Sequence, residues 1–527
     1  MEAGGAVDVL VLIVVLATTV LVGTTIGGRY RVAPPVLLIT MGGLLALLPP
    51  LSDVVLEPEV VLLLFLPAVL YRESLVISLR EIRANLLVIA SLAVALVVVT
   101  MVAVALVAKG LGMTPQAAWV LGAVLAPTDA AAVAGLAKRM PRRILTTLRA
   151  ESLVNDGTAL VLFSVTVGLI VGGTAPGVFG FLGRFVGSAG GGIVAGLVVG
   201  LVVVLIRRRL DDPLREGALS VLTPFAAFLL AEVVHASGVL AVVVAGLLLS
   251  YFSPRIIRAR SRVLAYAFWD LSTFLINGAL FVLLGMQIPR AVNHVTSTSL
   301  VRSVAIAASV TLMVVVVRLV WLQLFSYGLP VVGRGAGVSR RVRVAAGWAG
   351  FRGAVSLAAA LAVPVTTATT HQPVPERDLI IFCTAVAIVS IMLVQGITLP
   401  AVARWAGLRG DEARGDEVRH ARRRATEVAL AALPDVAANL DVDGAAVDRL
   451  RTDYQRHLDL VTESGGGREA DRAQELDTRL RLGVLEHKRR EVTRLRDNNE
   501  IDDSVLREVQ AALDIEEIRL LGPQTED

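Results

Sequence analysis

Apolar runs long enough to cross a bilayer recur throughout the first three quarters of this chain. A hydrocarbon core ~30 Å thick takes about 20 residues of helix. Thirteen segments fit that length, at 7–26, 34–49, 58–78, 84–108, 116–138, 148–172, 181–206, 217–235, 238–251, 264–288, 302–328, 343–364 and 378–404. Backbone amides in lipid must be satisfied within their own segment or in a closed barrel, and runs of this length satisfy them as helices. The expected fold class is therefore an all-α polytopic membrane protein of about 13 transmembrane helices followed by a helical tail.

Charge divides the chain the same way. Residues 1–404 hold 17 acids and 30 bases, whereas residues 405–527 hold 28 acids and 20 bases. Two regions with such different balances meet different solvents. The pattern excludes a soluble enzyme, a disulfide scaffold and a nucleic-acid module, because the positive charge sits in loops between apolar segments. The one cysteine, Cys383, lies inside an apolar run. The first run is preceded by Glu2 and Asp8 and no base, so no secretory signal is expected.

Loop charge also gives an orientation. Alternate loops carry 21 bases, among them Arg80, Arg83, Lys138, Arg139, Arg208, Arg258 and Arg340, and the intervening loops carry only Lys109, Arg184, Arg290, Arg302 and Arg377. The positive-inside rule then places the N-terminus outside and the tail in the cytoplasm. In the tail, apolar residues recur at helical spacing, as in Leu480, Leu482 and Leu485, and again in Leu506, Val509 and Leu513. Residues 464–467 (Ser-Gly-Gly-Gly) interrupt it, which predicts a first helical part, a linker and two further helices.

Ionisable groups at bilayer depth are costly and mark ion pathways by default. The carboxylates in question are Glu73, Asp129, Glu151, Asp156, Glu232 and Asp270, and the bases are Arg72, Arg318 and Arg352. The densest group is Glu151-Ser152-Leu153-Val154-Asn155-Asp156. At ~100° per residue, Ser152 shares a stripe with Asp156, and Glu151 shares the adjacent one with Asn155. Such hard oxygen donors suit a small cation stripped of water. An alternative reading of Glu151 and Ser152 as helix caps leaves Asp156 too deep to take part. Ala126-Pro127-Thr128-Asp129 puts a proline in mid-span, where it removes a hydrogen bond and favours a break. Gly347, Gly350 and Gly353 flank Arg352 and allow close backbone approach. The two interrupted segments are the fifth and the twelfth, so segments 1–6 and 8–13 form two inverted six-helix repeats, with the seventh as connector. Paired interruptions of this kind point to a transporter site. Each buried arginine, Arg318 and Arg352, is expected to need a carboxylate partner.

Phe65-Leu66-Pro67 with Tyr71 and Glu73, the Ala-Pro-Thr-Asp at 126–129, the Glu-Ser-Leu-Val-Asn-Asp at 151–156 and the Gly-Phe-Arg-Gly-Ala-Val-Ser at 350–356 together resemble the sodium/proton exchanger family, the first branch of the monovalent cation:proton antiporters. The tail is similar to that of bacterial members with a cytoplasmic helical extension. The resemblance covers residues 7–404 and implies a homodimer in the inner (cytoplasmic) membrane. Its dimerisation part would be mainly 7–80 and 181–288, and a mobile core, mainly 84–172 and 302–404, would move like an elevator. It further implies that Asp156 binds cation and proton alternately, and that Ser152 and the Thr128 backbone ligate the Na+. Asp129 would lie at the crossover, Glu73 beside the ion, and Asn155 would mark an electroneutral member. Glu151 would bridge to Arg318, and Arg352 would belong to the crossover helix. No cofactor is expected beyond the transported Na+ and H+; the partners expected are lipid, a second copy and monovalent cations, with no nucleic acid.

Two other classes remain as alternatives. A cation or proton channel would need a filter-like loop or a repeated pore motif, and neither is visible. An intramembrane metalloenzyme would rest on Glu232 and His235 alone, too few donors for zinc.

Overall fold

The computed structural model describes residues 2–30, 33–49, 51, 58–77, 82–83, 86–129, 142–170, 178–293, 298–328, 339–366, 373–408, 412–440, 444–463, 468–498, 500 and 503–521. It divides into two compact units, Met1–Gly410 and Asp411–Asp527.

The first unit is helical. Helix α1 (Glu2–Tyr30) and α2 (Pro34–Leu45) are followed by α3 (Leu66–Val76), which continues a π-helical turn at Val61–Phe65, and by α4 (Leu96–Gly110), which continues another at Ser91–Ala95. Then come α5 (Pro115–Leu125), α6 (Arg142–Ile170), α7 (Val178–Arg207), α8 (Pro213–Val233), α9 (Gly238–Ile256), α10 (Ala259–Asn293) and α11 (Leu300–Gly328). The unit closes with α12 (Arg340–Trp348), α13 (Ala354–Leu361) and α14 (Arg377–Trp405). Among the described residues the only strand-like feature is one isolated bridge, Thr366 to Pro373. Every apolar segment expected from the sequence overlaps one of these helices. Among the described residues, seven helices are long and apolar enough to cross a membrane by length and composition. The eighth and ninth segments are separate helices, divided at His235, which takes a left-handed backbone (φ 54°).

Two of the segments are not continuous. Helix α5 stops at Leu125, and residues 126–129 leave the helix. Pro127 has no N–H to return to the Ala123 carbonyl, so the last turn cannot be extended. The part of that segment beyond Asp129, at 130–138, lies outside the described residues, as do the loop bases Arg31, Arg80, Lys138, Arg139 and Arg334. In the twelfth segment, residues 349–353 separate α12 from α13. Helix α6 begins by Arg142, so Glu151 sits well inside it and the capping alternative falls.

The larger buried cluster joins residues of α1, α2 and α10 with those of α4, α5, α6, α11, α13 and α14; the smaller joins α3, α7, α8 and α9. Helix α7 carries Val186, Val194, Leu201 and Leu205 at half exposure or nearly so, a face suited to lipid rather than water. The second unit contains α15 (Glu412–Leu440), α16 (Gly444–Glu463), α17 (Arg468–Asp497) and α18 (Asp503–Leu521). Helices α17 and α18 pack as a pair around Leu485, Leu506 and Leu513, with Arg489 bridging Asp514 and Glu517 at the rim. The Ser-Gly-Gly-Gly linker at 464–467 lies outside the described residues.

Candidate functional site

The two interruptions meet. The backbone N–H of Asp129 donates to the carbonyl of Phe351 at 2.9 Å, which ties the non-helical segment after α5 to the one between α12 and α13. Small residues make this approach possible. A Cβ on Gly353 would run into the Asp129 carboxylate, and one on Gly350 into the Arg318 side chain.

Arg352 lies at this junction and is 1% exposed. Its Nε donates to the Leu125 carbonyl at 2.8 Å, and its Nη1 donates to the carbonyls of Gly350 and Phe351 at 3.1 and 3.3 Å. Among the described residues no carboxylate pairs with it, contrary to the expectation from the sequence. The reason is local: a broken helix ends in carbonyls without intrahelical partners and a partial negative charge. The guanidinium satisfies those oxygens instead of an acid.

Arg318 does have an acid. Its Nη1 and Nη2 take the two carboxylate oxygens of Glu151 in a bidentate pair, Nη2 to Oε2 at 3.0 Å. Both side chains are all but fully buried. Thr128 Oγ1 donates to Glu151 Oε1 at 3.0 Å and accepts from Asn155 Nδ2 at 2.6 Å. The single hydroxyl proton of Thr128 is used on the carboxylate, so the amide must be the donor in the second bond. That leaves the buried Asn155 Oδ1 without a partner among the described residues. Ser152 Oγ donates to the Thr128 carbonyl at 2.9 Å. One residue of the broken strand thus holds three of the four polar side chains on this stretch of α6.

Asp156 is the fourth, and it differs. It is 8% exposed and makes no hydrogen bond or ion pair among the described residues. It faces a cavity of about 60 Å3, together with Thr128, Asp129, Ser152, Ser356 and, from other helices, Glu73 and Asn277. The structure therefore gathers Asp156, Ser152, Thr128, Asp129 and Glu73 around one space, and sets Glu151, Asn155, Arg318 and Arg352 behind it.

Other residues singled out in the sequence fall elsewhere. Arg72, adjacent to Glu73, pairs with Asp270, its Nε at 2.6 Å from Oδ1. Glu232 is exposed in the last turn of α8, and neither it nor His235 lines the cavity, so Glu232 is not a buried intramembrane acid. Arg149 and Asn277 line the cavity without having been read as site residues, and Ser356, the last residue of the 350–356 motif, lines it without having been given a role. Asn277, an amide within an apolar stretch, left the clearest sign.

Interrupted helices brought together beside a buried carboxylate define the architecture of a secondary transporter. The family profile described as "Sodium/hydrogen exchanger, transmembrane" matches residues 14–405. The chain belongs to the sodium/hydrogen exchanger family. It is 54% identical, over 98% of its length and 97% of the relative's, to a protein named as an uncharacterised Na+/H+ exchanger of Mycobacterium tuberculosis. It is 31% identical to a Na+/H+ antiporter of Aphanothece halophytica, over 80% of each chain. Among solved structures, a sodium proton antiporter from Methanocaldococcus jannaschii has the same fold, with a TM-score of 0.58 at 20% identity, covering 75% of this chain and 98% of that one.

Proposed function

We propose that this protein exchanges Na+ for H+ across the cytoplasmic membrane, with Asp156 as the carboxylate that both ions share; Li+ and K+ are further candidate cargoes. The observation that carries this reading is a buried carboxylate, without a partner among the described residues, in a small and largely apolar cavity that it shares with Thr128, Ser152, Asp129, Glu73 and Arg149. An isolated charge in a low-dielectric site is unfavourable and calls for a counter-charge or a proton. Either passenger meets the need and excludes the other. Ser152 Oγ and the Thr128 carbonyl are neutral oxygens of residues that line the cavity and supply ligands for Na+. Asp129 and Glu73 add negative potential to the same space.

The exchange is one charge for one charge. Glu151 is neutralised by Arg318, position 155 is an amide, and Asp156 is left as the acid of α6 that changes partners. Arg352 and the Glu151–Arg318 pair hold the crossed strands in place. Movement follows an elevator: a core of mainly 84–172 and 302–404 carries the neutralised site past a dimerisation part of mainly 7–80 and 181–288, in a homodimer whose tail faces the cytoplasm. An empty, charged Asp156 does not cross the apolar barrier, which couples the two fluxes.

The test is fluorescence dequenching in everted vesicles over a pH series with Na+, Li+ and K+. Cation-dependent proton movement that saturates, and that vanishes in Asp156→Asn, is the expected result. Uncoupled flux at channel rates would select a cation or proton channel instead.

A further inference from the structure

Of the polar side chains at the cavity that the proposed exchange leaves without a role, Arg149, Asn277 and Ser356, only Asn277 comes from α10. Asn277 lies on α10 between Ile276 and Gly278, is half-buried, lines the cavity with Asp156, and makes no hydrogen bond among the described residues. A half-buried amide without a partner among the described residues is poorly satisfied in an apolar span, so its position asks for an occupant of the cavity that satisfies it.

The helix that carries it is held rigidly on another face. Gly42 of α2 and Gly285 of α10 are in such close approach that a Cβ on either would collide with the opposing backbone carbonyl, of Val282 and Ile39 respectively. Gly278 is similarly pressed on Val20 of α1. Asp270, Thr273 and Asn277 recur at helical spacing and form one polar stripe. The first of them is fixed to α3 by Arg72, and the last reaches the cavity. Asn277 thus offers a neutral oxygen from a helix of the proposed dimerisation part, whereas Asp156, Ser152 and Thr128 belong to the proposed mobile core.

We propose that Asn277 is a specificity-determining residue: its amide oxygen completes the ligand shell of a dehydrated monovalent cation held by Asp156. A proton on Asp156 is covalently bound and needs no second ligand. Asn277 therefore strengthens cation binding without strengthening proton binding, and so sets the cation concentration at which exchange half-saturates.

This rests on the exchange reading of the site, and the experiment separates the two. Wild type, Asn277→Leu and Asn277→Ser are reconstituted into liposomes, and Na+-driven proton efflux is measured against Na+ concentration over a pH series. Leu keeps the shape and removes the oxygen; Ser returns an oxygen. The expected result is a rise of roughly tenfold in the apparent KM for Na+ in Asn277→Leu, the scale of one lost hydrogen-bonding contact to a charge. The maximal rate per folded protein stays the same, and Ser recovers part of the affinity. The ratio of KM between the acidic and alkaline ends of the series is unchanged, because protons compete at Asp156 alone. KM does not depend on how much protein folds, so a loss of yield does not mimic the effect. An unchanged KM, a fall in maximal rate alone, or a shifted pH ratio would overturn the assignment. Absence of Na+-coupled flux in the wild type would instead overturn the exchange reading.

Discussion

Glu151 and Asp156 stand on the same helix, little more than one turn apart, in opposite circumstances. Glu151 is gripped by Arg318 through both oxygens and by the Thr128 hydroxyl. Asp156 has a cavity in front of it and no partner among the described residues. A buried charge that is fully paired belongs to the framework, and one that is not must take its partner from solution. In the proposed exchange the helix carries a fixed pair that positions the non-helical segment after α5 and a second acid that handles ions, and Asn155 between them is neutral.

The largest effect separates the two acids by function. Asp156→Asn removes the exchangeable charge and keeps the shape, so vesicle exchange falls to the level of empty liposomes. Thermal stability in detergent stays level or rises, because a lone buried charge has gone. Arg318→Ala does the reverse: it strands the Glu151 carboxylate and costs about 3–5 kcal/mol, read as a lowered Tm and loss of the folded peak on size exclusion. The double variant Glu151→Met with Arg318→Met recovers most of that loss. A tolerated Arg318→Ala would mean that Glu151 is not a framework acid.

A finer contrast concerns Arg352, whose partners are carbonyls. Arg352→Lys loses the planar fork that spans Leu125 and Gly350, and a cost of about 1–3 kcal/mol is expected in thermal unfolding. The smallest effect falls on the Arg72–Asp270 pair, which is 21% and 32% exposed. Asp270→Asn changes stability by no more than about 1 kcal/mol.

Much of this was legible in the sequence. The positions of the helices follow from the apolar runs, and the break after α5 follows from Pro127. The pairing of Glu151 with Arg318 follows from the family resemblance and from the need of a buried arginine for an anion. The partners of Arg352 were not legible, because the carbonyls of a broken helix leave no mark among the side chains. The Arg72–Asp270 contact joins residues 198 positions apart, and nothing local to either announces the other. Asn277 carries no charge, so a pattern of ionisable groups passes over it. Its importance depends on which wall of the cavity α10 provides, and that is a property of packing.

The claim beneath all of this is that Na+ and H+ compete for Asp156. Calorimetric titration of the purified protein with Na+, in buffers of different ionisation enthalpy, reads the proton release directly. The account predicts release of about one proton per Na+ bound when Asp156 starts protonated, as competition at a single carboxylate requires, and loss of that release in Asp156→Asn. Na+ binding with no proton released at any pH, or release undiminished in Asp156→Asn, would contradict it.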